Sequence, residues 1–167
     1  MKTNTILLIL TITIVLWSNI VHAQPEVAMI YIYDNQRGES FADIFATSDS
    51  GYVMCGSSFE IGGDPDSTSQ MLIVKIDDNG NHLWSNLYGV DGAGDFLSSI
   101  IETDSTDFLA VGESNDNVAA ILVDNEGEEI WLETYREGHG YAVIELKSGE
   151  FVLAGTSNRS GYLACIE

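Results

Sequence analysis

The chain repeats itself, and an internal repeat constrains a fold more tightly than composition does. Asp77-Asp-Asn-Gly-Asn-His-Leu-Trp84-Ser-Asn-Leu-Tyr88 returns as Asp124-Asn-Glu-Gly-Glu-Glu-Ile-Trp131-Leu-Glu-Thr-Tyr135. A second element occurs three times, as Gly51-Tyr52-Val-Met-Cys-Gly56-Ser-Ser58, Asp107-Phe108-Leu-Ala-Val-Gly112-Glu-Ser114 and Glu150-Phe151-Val-Leu-Ala-Gly155-Thr-Ser157. Gly56, Gly112 and Gly155 stand 56 and 43 residues apart, and an insertion at residues 60–69 accounts for the longer interval.

A period of roughly 45 residues is that of propeller blades and similar arrays. Each repeat reads as four short strands, in the first repeat at 41–47, 52–58, 71–77 and 83–88. Runs such as Met71-Leu-Ile-Val74 and Val118-Ala-Ala-Ile-Leu-Val123 are apolar at successive positions, which suits a sheet covered on both faces. Turns of constant length join the first strand to the second at 48–51, 104–107 and 147–150, and the third to the fourth at 77–80 and 124–127. Asp or Asn side chains cap such bends, and glycine is expected to take the positive φ that a tight hairpin requires. The sequence therefore predicts an all-β, propeller-like array of three four-stranded antiparallel blades over residues 41–88, 96–135 and 141–167. Residues 27–33 align with the Trp-bearing fourth strand and are expected to complete the third blade, within the chain or between two chains of a homo-oligomer, with a fragment of a longer array as the alternative. Paired in that way, they would cover two open sheet edges.

Residues 1–23 are set apart from this domain, which covers residues 24–167. Lys2, a short apolar stretch from Ile6 to Trp17 and the small-residue pattern Val21-His22-Ala23 have the layout of a secretory signal peptide, with an uncleaved N-terminal anchor as the alternative. A spanning helix needs ~20 apolar residues, and Thr11, Thr13, Ser18 and Asn19 leave this stretch short. Cleavage would leave 5 basic against 26 acidic side chains, a formal charge of −21. Such a chain repels nucleic acid and anionic membrane surfaces. The expected location is secreted or periplasmic, with no membrane contact after cleavage.

Asp-x-x-Gly-x-x-x-Trp after an apolar strand resembles the docking motif of pyrroloquinoline-quinone-type propeller repeats, and Phe151-Val-Leu-Ala-Gly-Thr-Ser157 resembles short repeats of secreted bacterial propeller proteins. The resemblance covers about residues 27–167. Its motifs are structural, and it implies a fold without carrying over a reaction. The cofactor site of the quinoproteins, with its adjacent cysteines and calcium ligands, has no counterpart, because Cys55 and Cys165 lie far apart in sequence. No cofactor is expected, and the two cysteines are read as buried thiols, with a disulfide as the alternative in a secreted chain.

Asp77-Asp-Asn-Gly-Asn81 is rich in oxygen but lacks the distal Glu of a calcium loop, so plain turn chemistry explains it. Asp91 and Asp95, in a glycine-rich loop between repeats, are the calcium candidates. His82 reads as a surface strand residue. His139 lies in a charged loop between repeats, Arg136-Glu-Gly-His-Gly140, without a neighbour in sequence that would make it catalytic. In an up-and-down blade, the length variation falls at the end that carries the second-to-third loops and the blade connections. Repeat proteins tend to put insertions on the binding face. The expected ligand face is therefore Arg37, Glu60, Asp64, Asp66, Asp91, Asp95, Arg136 and His139. The function expected is that of a non-enzymatic binding or structural module whose partner is an extracellular protein or glycan. A glycan-binding lectin is the alternative, and an extracellular enzyme fragment the third reading.

Overall fold

The computed structural model describes residues 31–34, 36–62, 69–89 and 94–166. Eleven strands run through them: β1 (Gly38–Ala46), β2 (Tyr52–Phe59), β3 (Gln70–Ile76), β4 (His82–Tyr88), β5 (Phe96–Glu102), β6 (Phe108–Ser114), β7 (Asn117–Val123), β8 (Glu129–Glu137), β9 (His139–Glu145), β10 (Phe151–Ser157) and β11 (Ser160–Ile166). They form three antiparallel meanders, β1-β2-β3-β4, β5-β6-β7-β8 and β9-β10-β11. The fold is all-β, and no helix among the described residues is long and apolar enough to cross a membrane.

The sheets stack face on face. Val53, Cys55, Met71 and Ile73 of the first sheet meet Leu97, Ile100, Phe108, Ala119 and Ile121 of the second. On its opposite face, the second sheet lays Leu109, Val111, Val118 and Ala120 against Val143 and Leu153 of the third. The second sheet is thus covered on both sides, which is why β6 and β7 are apolar without alternation. The Trp-bearing strands bind the stack from its rim. Trp84 packs on Phe108, and its Nε1 donates to the Asn125 carbonyl at 3.0 Å, while Asn86 and the Tyr88 hydroxyl donate to the Gly127 carbonyl at 2.8 and 2.7 Å. A Cβ at Gly127 would lie 2.8 Å from the Trp84 ring. The turn motif of one repeat is therefore the seat for the tryptophan of the repeat before it.

The repeated glycine of each second strand has a steric cause. The first strand of every sheet bulges opposite it, near Phe41, Leu97 and Tyr141. The bulge drives a carbonyl over the glycine Cα, so that a Cβ would stand 1.8 Å from Ser40 O at Gly56, 2.0 Å from Phe96 O at Gly112 and 1.9 Å from His139 O at Gly155.

Turn chemistry follows the expectation in the third-to-fourth turns. Asp77 Oδ1 accepts from the Asn79 and Asn81 amides, Asp124 Oδ1 accepts from those of Glu126 and Glu128, and Gly80 and Gly127 hold positive φ. The first-to-second turns differ. Positive φ falls on Ser50 and Thr106, and only in the third repeat on a glycine, Gly149. Gly51 is required for closeness instead, because a Cβ would lie 2.4 Å from Ile76 O and 2.6 Å from Lys75 Nζ. Lys75 is a buried cation on the inner face of the first sheet. Its Nζ reaches Thr47 Oγ1 and both oxygens of Asp49 at 2.9 Å.

Three expectations change. The segment around Arg136 is strand and not loop, since β8 runs through Glu137 and only Gly138 separates it from β9. Both cysteines are free thiols, but Cys165 is exposed; it lies on the outer face of the third sheet, which no described element covers. Within the chain, Tyr31 and Tyr33 do not extend the β11 edge. They pack on the outer face of the first sheet, against Met54, Leu72, Val74 and Ile76, and Tyr33 donates to Ser85 Oγ at 3.1 Å. Residues 27–30 lie outside the described residues.

Gly112→Ala is expected to destabilise the fold by roughly 2–4 kcal/mol, the scale of a core clash. Gly161→Ala, where no atom stands within 4 Å of the new Cβ, should change stability by less than about 0.5 kcal/mol. Urea unfolding of the two variants checks the difference. The Thr47 hydroxyl first and the Lys75 ammonium second hold the Asp49 carboxyl at about 2, below its usual 3.8. A depressed carboxylate contributes stability above its unfolded pKa and loses it as pH falls through the folded one. This contribution should thus fade between about pH 4 and pH 2. Asp49→Ala should cost about 1–3 kcal/mol at neutral pH by stranding the buried ammonium, whereas Lys75→Met should be close to neutral. Thermal melts across that pH window test both.

Candidate functional site

One end of the stack carries the turns that do the packing just described. The other end carries the second-to-third turns and the connections between sheets, and there a cleft of about 640 Å³ opens between the second and third sheets. Its lining comes from Glu113, Asp116, Glu137, Gly138, His139, Thr156, Asn158 and Arg159. Each side chain is placed by a strand end or a two-residue hairpin. Asn115 and Asp116 join β6 to β7 with φ of 49° and 64°, and Asn158 and Arg159 join β10 to β11 with φ of 49° and 65°. Two successive positive φ values belong to the hairpin turn whose twist matches that of its strands, and Asn and Asp tolerate that region best.

Glu113 lies at the base of the cleft. It follows Leu109 and Val111 on the face of β6 that meets the third sheet, and it is buried. Its carboxylate contacts Nδ1 of His139, the first residue of β9, an ion pair when the imidazole is protonated. The imidazole lies between two aromatic rings, 5.8 Å from Phe96 and 6.0 Å from Tyr141, and is parallel to Tyr141 within 6°. Tyr141 is half-exposed and accepts from Thr156 Oγ1 at 3.4 Å. Asp116, Glu137 and Arg159 are exposed at the mouth. Three carboxylates thus face one guanidinium and one imidazole. Such a site suits a polar ligand with donors to offer, be they hydroxyls, amides or a cationic group.

Of the residues expected on the ligand face, His139 lines this cleft. Arg37 and Glu60 belong to the same end of the first sheet but not to the cleft; Arg37 donates to the buried Ser58 hydroxyl at 2.9 Å. Arg136 is held by the β8 strand and stacks over the Tyr162 ring, 5.9 Å from its centroid. Asp95 is fully buried at the entry to β5, its amide bonded to the Ser69 carbonyl and its carboxylate lying where a Cβ on Gly89 would be. Asp64, Asp66 and Asp91 lie outside the described residues. Among the described residues, no group of three or more His, Cys, Asp or Glu side chains is placed to hold a metal ion.

Apart from His139, every residue that lines the cleft was passed over by sequence reasoning. For Glu113 a signal exists. The repeat places Ser57 and Thr156 at its position, and an acidic side chain near the end of an apolar strand departs from both. No family model matches the chain, and no curated protein matches it.

Proposed function

We propose that this chain is a secreted, non-enzymatic binding module built from propeller-like repeats, and that the cleft between its second and third sheets receives the ligand. The observation that carries this reading is the buried Glu113 paired with His139 at the base of an open polar cleft. That pair lies at the end of the stack where loops are released from packing. The acidic surface and the leader-like residues 1–23 support an extracellular setting and argue against nucleic acid as partner.

A glycan is the second reading for the ligand. It is favoured by the half-exposed Tyr141 ring beside Asp116, Glu137 and Asn158, since sugars offer hydroxyls to carboxylates and amides and an apolar face to an aromatic ring. Calcium held at Asp91 and Asp95 belongs to the proposal as well.

A glycan array probed with the purified protein tests the class of ligand, and an array without signal removes the glycan reading. For a bound ligand, Asp116→Asn and His139→Gln are expected to weaken affinity by about tenfold or more, equivalent to about 1.4 kcal/mol. Asn79→Ala, at the opposite end, should leave affinity unchanged. The reverse pattern overturns the site. Calcium titration should give a saturable heat if Asp91 and Asp95 form a site, and a flat isotherm retires it.

A further inference from the structure

The two ends of the sheet stack present complementary halves of one interface. Aligned on the repeat glycines, Ile44, Ile100 and Val143 are the same position of the first strand. Ile100 and Val143 are 1% and 3% exposed because the preceding sheet covers them, yet Ile44 is 58% exposed. At the other end, Leu163 aligns with Ile73 and Ala120. Those two are fully buried by the following sheet, whereas Leu163 is 73% exposed, with Ile144 and Cys165 open beside it. The outer face of the third sheet thus repeats the chemistry that seats Val143, and Ile44 repeats the residue that such a face receives.

Residues 31–33 point the same way. By the repeat, Tyr33 is the counterpart of Tyr88, Ile32 of Leu87 and Tyr31 of Asn86. Tyr88 is a fourth-strand residue of the first sheet that packs on the second, and Tyr31 and Tyr33 pack on the first sheet in the corresponding way. They therefore stand where the fourth strand of a preceding sheet would stand. Leu87 faces its own sheet among Leu72, Val74 and Ile76, but among the described residues no such sheet lies beside Ile32, which is 81% exposed. The third sheet meanwhile has three strands among the described residues, with β11 bonded only to β10.

We propose that a second copy of this chain docks head to tail, its third sheet covering the first sheet beside Ile44 and its β11 pairing with residues 31–33. The register copies that of β3 with β4, in which Met71 faces Tyr88, Leu72 faces Leu87 and Ile73 faces Asn86. Gly161 then faces Tyr33, Tyr162 faces Ile32 and Leu163 faces Tyr31. Ile32 turns onto the composite sheet beside Tyr162, as Leu87 does beside Leu72. Not every polar link of the internal contacts recurs: Tyr31 stands in place of Asn86, whose amide donates to the Gly127 carbonyl, and Ala142 in place of Asp43, whose carboxylate accepts from Ser99 and Ile100. Ser48 and Asp104 donate their amides to Glu102 and Glu145 of the following sheet, and Ala46 occupies that acceptor position in the first sheet. A heterologous contact of this kind closes a ring when its rotation permits. Two copies bring six sheets together, within the span of about four to eight blades that closed propellers use.

Light scattering on the purified protein should give twice the chain mass. A monomer, or an open series of higher masses, overturns the proposal. Ile44→Asp and Leu163→Asp alter exposed side chains, so each should keep its fold by circular dichroism and run as a monomer. An equimolar mixture of the two should recover the dimer, because one of its two contacts is unaltered. A dimer indifferent to Ile44→Asp would mean that third sheets meet each other and would also overturn it. In a Cys165→Ser background, mixing Tyr31→Cys chains with Leu163→Cys chains should yield a disulfide between them. A bond formed only within the doubly substituted chain places residues 31–33 in cis and excludes the second copy.

Discussion

Burial of one sheet face by the next is the interaction on which the rest of this structure depends. A single meander such as β5-β6-β7-β8 has apolar residues on both sides and cannot shield either alone. It becomes stable as the middle of a stack, with Val53 and Ile73 on one side and Val143 and Leu153 on the other. The bulge that forces glycine at positions 56, 112 and 155 bends the first strand of each sheet, and it is this strand that meets the preceding sheet. The tryptophan clamp then fixes the rim, where Trp84 covers the turn of the next repeat and leaves no room for a side chain at Gly127. Sequence features that look independent, a glycine, a turn and a tryptophan, are parts of one contact between sheets.

That dependence explains what was legible in the sequence. The strands, their antiparallel order and the Asp-capped turns can be read because each recurs under the same steric demand. What could not be read is whatever a single repeat does differently. Gly51 looks like the positive-φ residue of its turn, but Ser50 takes that role, and Gly51 makes room for the ammonium of Lys75, a cation that neither Leu122 nor Cys165 supplies at the matching place. Arg136 reads as loop because its neighbours are charged. It is strand because β8 carries its pairing past the usual end, with Asn117 opposite Glu137. Cys165 reads as buried by analogy with Cys55, and it is exposed because no described sheet follows the third.

The candidate site is legible only in part for the same reason. Its end of the stack follows from where length variation falls, and His139 is found on that ground. Its depth follows from tertiary contact, because Glu113 meets His139 only when the second and third sheets are stacked. Glu113, Ser57 and Thr156 share one position of the repeat, so the fold tolerates a small hydroxyl there. Replacing that hydroxyl with a carboxylate at the end of an apolar face incurs a desolvation cost that the imidazole and the cleft must offset.

The division of labour between the two ends of the stack has an electrostatic side as well. At the packing end the acidic groups are spent locally, with Asp77 and Asp124 accepting from their own turns and Glu102 and Glu145 from the amides of the neighbouring sheet. Asp77 titrates below the ordinary carboxylate range because the Asn81 side chain and amide donate to it. At the cleft the acidic groups Asp116 and Glu137 are exposed around a single guanidinium, that of Arg159. On the proposed reading, a ligand that supplied positive charge or hydroxyl donors would complete there what the turns at the opposite end complete for themselves.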